Sequence, residues 1–181
     1  VGKVKIFYSE THRKHEPPFE VFDGGLRVPY LENSDRMDKI LNALQTVDWA
    51  DIYEPTDFGL APILAVHDKE YLDFLASAWT EWLATEPQDS STLLPATFAL
   101  RRQPHKPKSL LGRAGYYIMD LSACIVAGTY QASLASANCA LSAAEFISSS
   151  FSPQAKRSSF ALCRPPGHHA GKDYAGGYCF I

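Results

Sequence analysis

The sequence predicts an α/β domain built on a mainly parallel sheet, and three observations carry that prediction. Strand-like and helix-like hydrophobic patterns alternate along the chain without internal repeats. Three stretches repeat apolar residues at three and four, the spacing of a helix that buries one face. The last apolar run, Phe160 to Cys163, leads directly into a loop rich in proline and glycine, as a strand does when it delivers a site at its carboxyl end. With 181 residues, 46% of them hydrophobic, the chain holds enough apolar side chains for one domain with its own core.

Val4 to Tyr8 alternates and is rich in apolar and aromatic residues, so it reads as the first strand. Residues 9 to 33 hold His12, His15, Pro17, Pro18, Gly24, Gly25 and Pro29 without a sustained period, and read as a loop with both histidines in solvent. From Ser34, taken as an N-cap, Met37, Ile40, Leu41 and Leu44 form one apolar stripe of an amphipathic helix. Ala61 to Val66 is a short apolar run. His67 and Asp68 then start a second helix whose core face is Tyr71, Leu72, Leu75, Trp79, Trp82 and Leu83. Residues 86 to 114 break the pattern with Pro87, Pro95, Pro104 and Pro107 among the basic residues Arg101, Arg102, His105, Lys106, Lys108 and Arg113. The span exceeds the ~12–15 residues beyond which structureless loops become uncommon, and reads as a protruding insertion loop or as a plain surface loop. Thr129 caps a long alanine-rich helix marked by Tyr130, Leu134, Ala137, Leu141 and Ala144, which ends in the polar stretch Ser148 to Ser159 around Pro153. Phe160 to Cys163 predicts a buried strand.

A net charge of -3 argues against a chain that neutralises nucleic-acid phosphates directly. No apolar stretch reaches the ~20 residues that span a bilayer, and the opening VGKVKIFYSE lacks the apolar core of a signal peptide, so no membrane partner is expected. The chain reads as soluble and intracellular, in the cytoplasm or the nucleus. Cys124, Cys139, Cys163 and Cys179 form no CxxC pair and read as reduced, buried thiols. A start at Val1 and an end within the apolar Gly-Gly-Tyr-Cys-Phe-Ile suggest the N-terminal portion of a longer domain.

The strongest local signal is Arg164-Pro165-Pro166-Gly167-His168-His169, followed by Gly171, Lys172, Asp173, Gly176, Gly177 and Tyr178. The prolines and glycine stiffen and turn the backbone just past a strand, which holds two imidazoles at the strand's end. A neutral imidazole accepts a proton from water near pH 7, and a charged one protonates a leaving amine. From the dipeptide alone, a solvated turn explains the pair equally well. Two imidazoles supply half of a tetrahedral zinc shell, and no neighbouring Cys or His completes it. Gly-x-Ser-x-Gly is absent, and Cys163 lies in an apolar strand where a thiol is usually inert.

Phe160 to Ala170, with Gly176-Gly177-Tyr178-Cys179-Phe180, is similar to the active-site stretch of the histone deacetylase and acetylpolyamine amidohydrolase superfamily. Val66-His67-Asp68 before Tyr71-Leu72, Ala127-Gly128-Thr129-Tyr130 and Asp35-Arg36-Met37 resemble further segments of that family. Gly115-Tyr116-Tyr117 and the long loop before it bring the chain nearer to the acetylpolyamine amidohydrolases. The resemblance implies a three-layer, arginase- and deacetylase-like fold, of which this chain would be an incomplete N-terminal part. It implies a zinc-dependent hydrolase that releases acetate from an acetylpolyamine or acetyl-lysine. His169 would be the general base and then acid, and His168 its electrostatic partner. Gly177 and Tyr178 would line the substrate channel, with Arg36 near its base. The Zn(2+) ligands of the family lie in motifs absent from this chain, and residues 86 to 114 would form a homodimer contact or the channel rim. The rival reading is a truncated, catalytically inactive homologue that acts as a binding or regulatory module. An arginase-like dinuclear site is disfavoured, because Pro-Pro-Gly-His-His does not announce it.

Overall fold

The computed structural model describes residues 3–22, 24–99, 105–149 and 157–181. At its centre β1 (Val4–Phe7) lies between β4 (Ala50–Tyr53) and β5 (Ser159–Ala161), all three parallel, with Ile6 opposite both Ile52 and Phe160. The period of two sends Ile6 and Tyr8 to one face of the sheet and Lys5 and Phe7 to the other. On the first face α1 (Asp35–Gln45) packs Met37, Ile40, Leu41 and Leu44 against Ile6, Tyr8 and Leu162. The second face is covered by α5 (Thr129–Ser148), whose Phe146 ring lies 4.6 Å from the Lys5 ammonium. Helix, sheet and helix give the three layers that the sequence reading implies.

A second apolar cluster holds the C-terminal segment. Helix α3 (Lys69–Ala84) contributes Tyr71, Leu72, Phe74, Leu75 and Ala78, and α4 (Leu110–Tyr117) contributes Ala114 and Tyr117. Ile118, Ala123, Ile125, Ala175 and Phe180 belong to it, nearly all without solvent contact, as do Ile63, Leu93 and Leu110. Full burial of each large side chain contributes roughly 1.5–3 kcal/mol, so this cluster fixes where residues 175–180 lie. The Tyr71 hydroxyl adds direction by donating to the Phe180 carbonyl at 2.7 Å. No helix among the described residues is long and apolar enough to cross a membrane.

Several elements depart from the sequence reading. The span read as a loop from 9 to 33 contains a short 3-10 helix (Glu10–Lys14) and a hairpin of β2 (Glu20–Phe22) with β3 (Leu26–Val28); strands of three residues are too short to show a period. His12 and His15 are buried there, at 2% and 0% exposure, and not in solvent. Strand β4 escaped because Asp51 interrupts its apolar residues; Lys3 pairs with that carboxylate at 2.7 Å. The short apolar run after Leu60 is α2 (Ala61–Leu64). Helix α4 begins at Leu110, inside the proline-rich basic span, where the Ser109 hydroxyl accepts the Gly112 N–H. Of that span, Arg101, Arg102 and Pro104 lie outside the described residues, as does Pro153. Ser34 occupies the N-cap position of α1 but makes no side-chain cap bond; Asn33 Oδ1 takes the Asp35 N–H instead. Thr129 is the first residue of α5 and not its cap. Its predecessor Gly128 is crowded by Lys14, whose carbonyl oxygen would lie 2.4 Å from a Cβ there. Strand β5 ends at Ala161 and takes an edge of the sheet, so Phe160 is 42% exposed where a buried strand was expected.

Candidate active site

The loop after β5 is anchored at its first residue. Arg164 is 1% exposed, and its guanidinium donates to the carbonyls of His12 at 2.9 Å and Glu32 at 2.8 Å. The Glu32 and Glu16 carboxylates lie 3.0 and 3.3 Å from it, so the buried charge is compensated. Ser136 of α5 donates its hydroxyl to the Pro165 carbonyl at 2.7 Å. Beyond these anchors the backbone turns: Gly167 lies against Ile181, whose carbonyl oxygen would be 2.5 Å from a Cβ at that position. His168 and His169 follow, both exposed, with ring centroids 4.3 Å apart and planes inclined by 52°. The bend needed for neighbouring histidines to serve one place is therefore present.

Gly177 and Tyr178 sit beside this pair. Gly176 and Cys179 exchange both backbone hydrogen bonds, which closes a two-residue turn with positive φ at Gly177 (54°) and Tyr178 (67°). A left-handed backbone costs a tyrosine roughly 1–2 kcal/mol, so its surroundings must hold it. Its ring packs edge-on against Tyr30 at 5.5 Å. Burial, then the nearby Glu20 carboxylate, holds the Tyr178 phenol well above its usual range. At Gly177 a Cβ would stand 2.5 Å from His169 Cδ2, so only glycine lets the turn and the imidazole come this close. Cys179 is buried, and burial pushes its thiol up.

Behind the loop lies a polar core that sequence reasoning missed. The Tyr30 hydroxyl donates to the Ser122 carbonyl at 3.1 Å, so the His15 Nε2, 3.3 Å away, must be the donor to Tyr30. His15 Nδ1 is then the acceptor, and Thr129 donates to it at 3.0 Å while accepting the Val126 N–H. Every member is satisfied with His15 neutral. Burial, reinforced by the Arg164 charge, pushes His15 down to about 3 and His12 down to about 4. The signal in the sequence was only a cluster of His, Tyr and Glu in a segment that looked like a loop.

Of the residues singled out from the sequence, His168, His169, Gly177 and Tyr178 come together. Arg36 contacts the base of the loop instead: it pairs with Glu32 at 2.6 Å and donates to the Cys163 carbonyl at 3.2 Å. Cys163 donates its thiol to the Ser136 carbonyl, and burial raises it, which suits an inert thiol. A hollow of about 470 Å³ between Phe19, Trp82, Pro87, Leu94 and Leu111 includes neither imidazole. Among the described residues no three His, Cys, Asp or Glu side chains converge as a metal-ligand set. Two imidazoles fall short of the roughly three protein ligands of a catalytic zinc, so these residues do not by themselves fit one.

Residues 30–181 match the family model described as the histone deacetylase domain. Acetylpolyamine amidohydrolase 1 of Pseudomonas aeruginosa is 45% identical over 177 residues, which cover 96% of this chain and 49% of that protein. The acetylpolyamine amidohydrolase of Mycoplana ramosa is 36% identical, over 98% of this chain and 50% of its own length. The crystal structure of an acetylpolyamine aminohydrolase from Burkholderia pseudomallei superposes with a TM-score of 0.88 at 33% identity, covering 99% of this chain and 50% of that one. The chain spans about half the length of the curated relatives it matches. A parallel sheet delivering paired histidines, matched by sequence and by backbone over nearly its whole length, has one consequence for classification: this chain belongs to the histone deacetylase domain family.

Proposed function

We propose that this chain carries the histidine-bearing half of an amide hydrolase that releases acetate from an acetylated amine. The observation that carries this reading is the His168–His169 pair, rings 4.3 Å apart, seated on the turn that holds Gly177 and Tyr178. His169 turns its Cδ2 edge toward Gly177, which leaves the ring nitrogens outside that close contact. At Nε2 the imidazole takes a proton from the attacking water and returns it to the departing amine nitrogen. His168, in ring contact, is its electrostatic partner. Tyr178, backed edge-on by the buried Tyr30 ring, offers an aromatic face suited to an extended aliphatic amine.

The zinc implied by the resemblance would take its ligands from the half of the relatives' length that this chain does not span, and would supply polarisation of the acetamide carbonyl and activation of water. The substrate class follows the relatives: those reported above are named for acetylpolyamines, which favours acetylated polyamines over acetyl-lysine in proteins. Their bacterial sources fit a cytoplasmic enzyme and give no support to a nuclear one. Arg36, through Cys163, would steady the channel base. Residues 86–114 would form an oligomer contact or the channel rim, reached from a fixed point, because Leu93 is fully buried and bonded to Ile125. The test is turnover by the full-length protein with zinc, on acetylspermidine and an acetyl-lysine peptide in parallel. Preference for the amine is expected; no turnover of either would leave the binding-module reading in its place.

A further inference from the structure

The turn that touches His169 is itself held by a residue that neither the sequence motifs nor the proposed chemistry uses. Asp120 Oδ2 accepts the Gly177 N–H at 2.6 Å, a donor that the turn's own pair of backbone bonds leaves out. Its other oxygen, Oδ1, accepts the Ser122 N–H at 3.0 Å, the Ser122 hydroxyl at 3.0 Å and the Ala123 N–H at 3.1 Å. Three donors on one oxygen fix the carboxylate before it meets Gly177. The backbone on either side is paired as well: Ala175 donates to the Tyr117 carbonyl at 2.7 Å and Met119 to the Ala175 carbonyl at 2.9 Å. Segment 117–120 is thus a buttress bonded along residues 175–177, with Asp120 at its far end, braced by Ser122 and Ala123. Gly177 then stands so close to His169 that a Cβ would meet Cδ2, Cγ and Cβ of that residue, all within 3.2 Å. Any retreat of the turn opens room on that side of the ring.

We propose that Asp120 is a positioning residue for His169, clamping the Gly177–Tyr178 turn against the imidazole so that the ring keeps one orientation. This rests on the reading of His169 as the base. Asp120 acts through the turn, and its loss should lower kcat while leaving KM nearly unchanged. Asp120→Asn is the discriminating variant. The three donors on Oδ1 select the amide oxygen for that side, which sets an NH2 group against the Gly177 N–H. The clamp is lost and the buttress loop kept, so melting should shift little. A loss of one charge-assisted hydrogen bond corresponds to about tenfold in kcat. Asp120→Ala, which loses both sides, should cost more in kcat and in melting temperature.

The experiment uses the full-length zinc-loaded protein and combines Asp120→Asn with His169→Ala in a double-mutant cycle on acetylspermidine. On the His169→Ala background Asp120→Asn should cost nothing further. An undiminished tenfold loss there, or wild-type kcat in the single variant, overturns the proposal. Ring order is read independently of activity from the His169 imidazole signal in histidine-labelled protein, with buried His15 as reference. Broadening or doubling of His169 alone is expected in Asp120→Asn, and an unchanged signal again overturns the clamp. If the unmodified protein turns over no acetylated amine, or His169→Ala stays active, the functional reading has failed, and the ring signal still decides what Asp120 does.

Discussion

Acid should unfold this protein through two buried histidines well before its surface carboxylates take part. The ordinary value of a histidine is 6.5, whereas burial and the Arg164 charge put His12 at about 4 and His15 at about 3. Below pH 6.5 the unfolded chain binds both protons and the native state binds neither, so stability is full above that pH and falls as pH drops toward 4. Each pH unit in the window costs up to about 1.4 kcal/mol per histidine, or on the order of 5 kcal/mol for the two by about pH 4.5. That is a large share of the roughly 5–15 kcal/mol that holds a domain together. Glu32 works the other way, because burial raises its carboxyl and favours its proton in the fold. Arg13 holds Glu10 and Asp38 below their usual range, but these groups are exposed and titrate lower. Urea unfolding at pH of about 7, 6 and 5 measures the slope, and His15→Gln, which keeps a polar group but does not titrate, should halve it. A flat profile between pH 7 and 5, or an unchanged slope in His15→Gln, would refute the placement of these histidines.

Three further outcomes follow from single contacts. Gly177→Ala should lower turnover of the full-length protein by about tenfold to a hundredfold, because the methyl meets His169 and the backbone is left-handed; kcat on acetylspermidine is the measurement. Arg164→Met should lose about 3–5 kcal/mol in urea unfolding, since it takes the buried counter-charge from Glu32 Oε2, leaving that carboxylate only Arg36, and takes the donor from the His12 and Glu32 carbonyls. Tyr71→Phe should cost about 1 kcal/mol by the same assay, the net worth of its bond to Phe180.

The helices α1, α3 and α5 were legible because each repeats apolar residues over three turns or more, and β1 because it alternates. Strands β2, β3 and β4 were not, since three or four residues carry too little pattern, and the partner of β4 lies far off in sequence. The imidazole pair and its turn were legible through motif chemistry. What holds them was not: Asp120 reaches Gly177 across 57 residues of chain, and the Glu32 and His12 carbonyls reach Arg164 across 132 and 152. Contacts set by tertiary folding leave no local spacing to read. Burial of His12 and His15 was missed for the same reason, as the helix α5 and Arg164 that enclose them come more than a hundred residues later.

The central claim is that His169 moves the proton. Turnover of acetylspermidine by the full-length zinc-loaded protein, with and without His169→Ala, tests it most directly. The account predicts a loss of about two to four orders of magnitude with the fold intact. Near-normal turnover in the variant would contradict it.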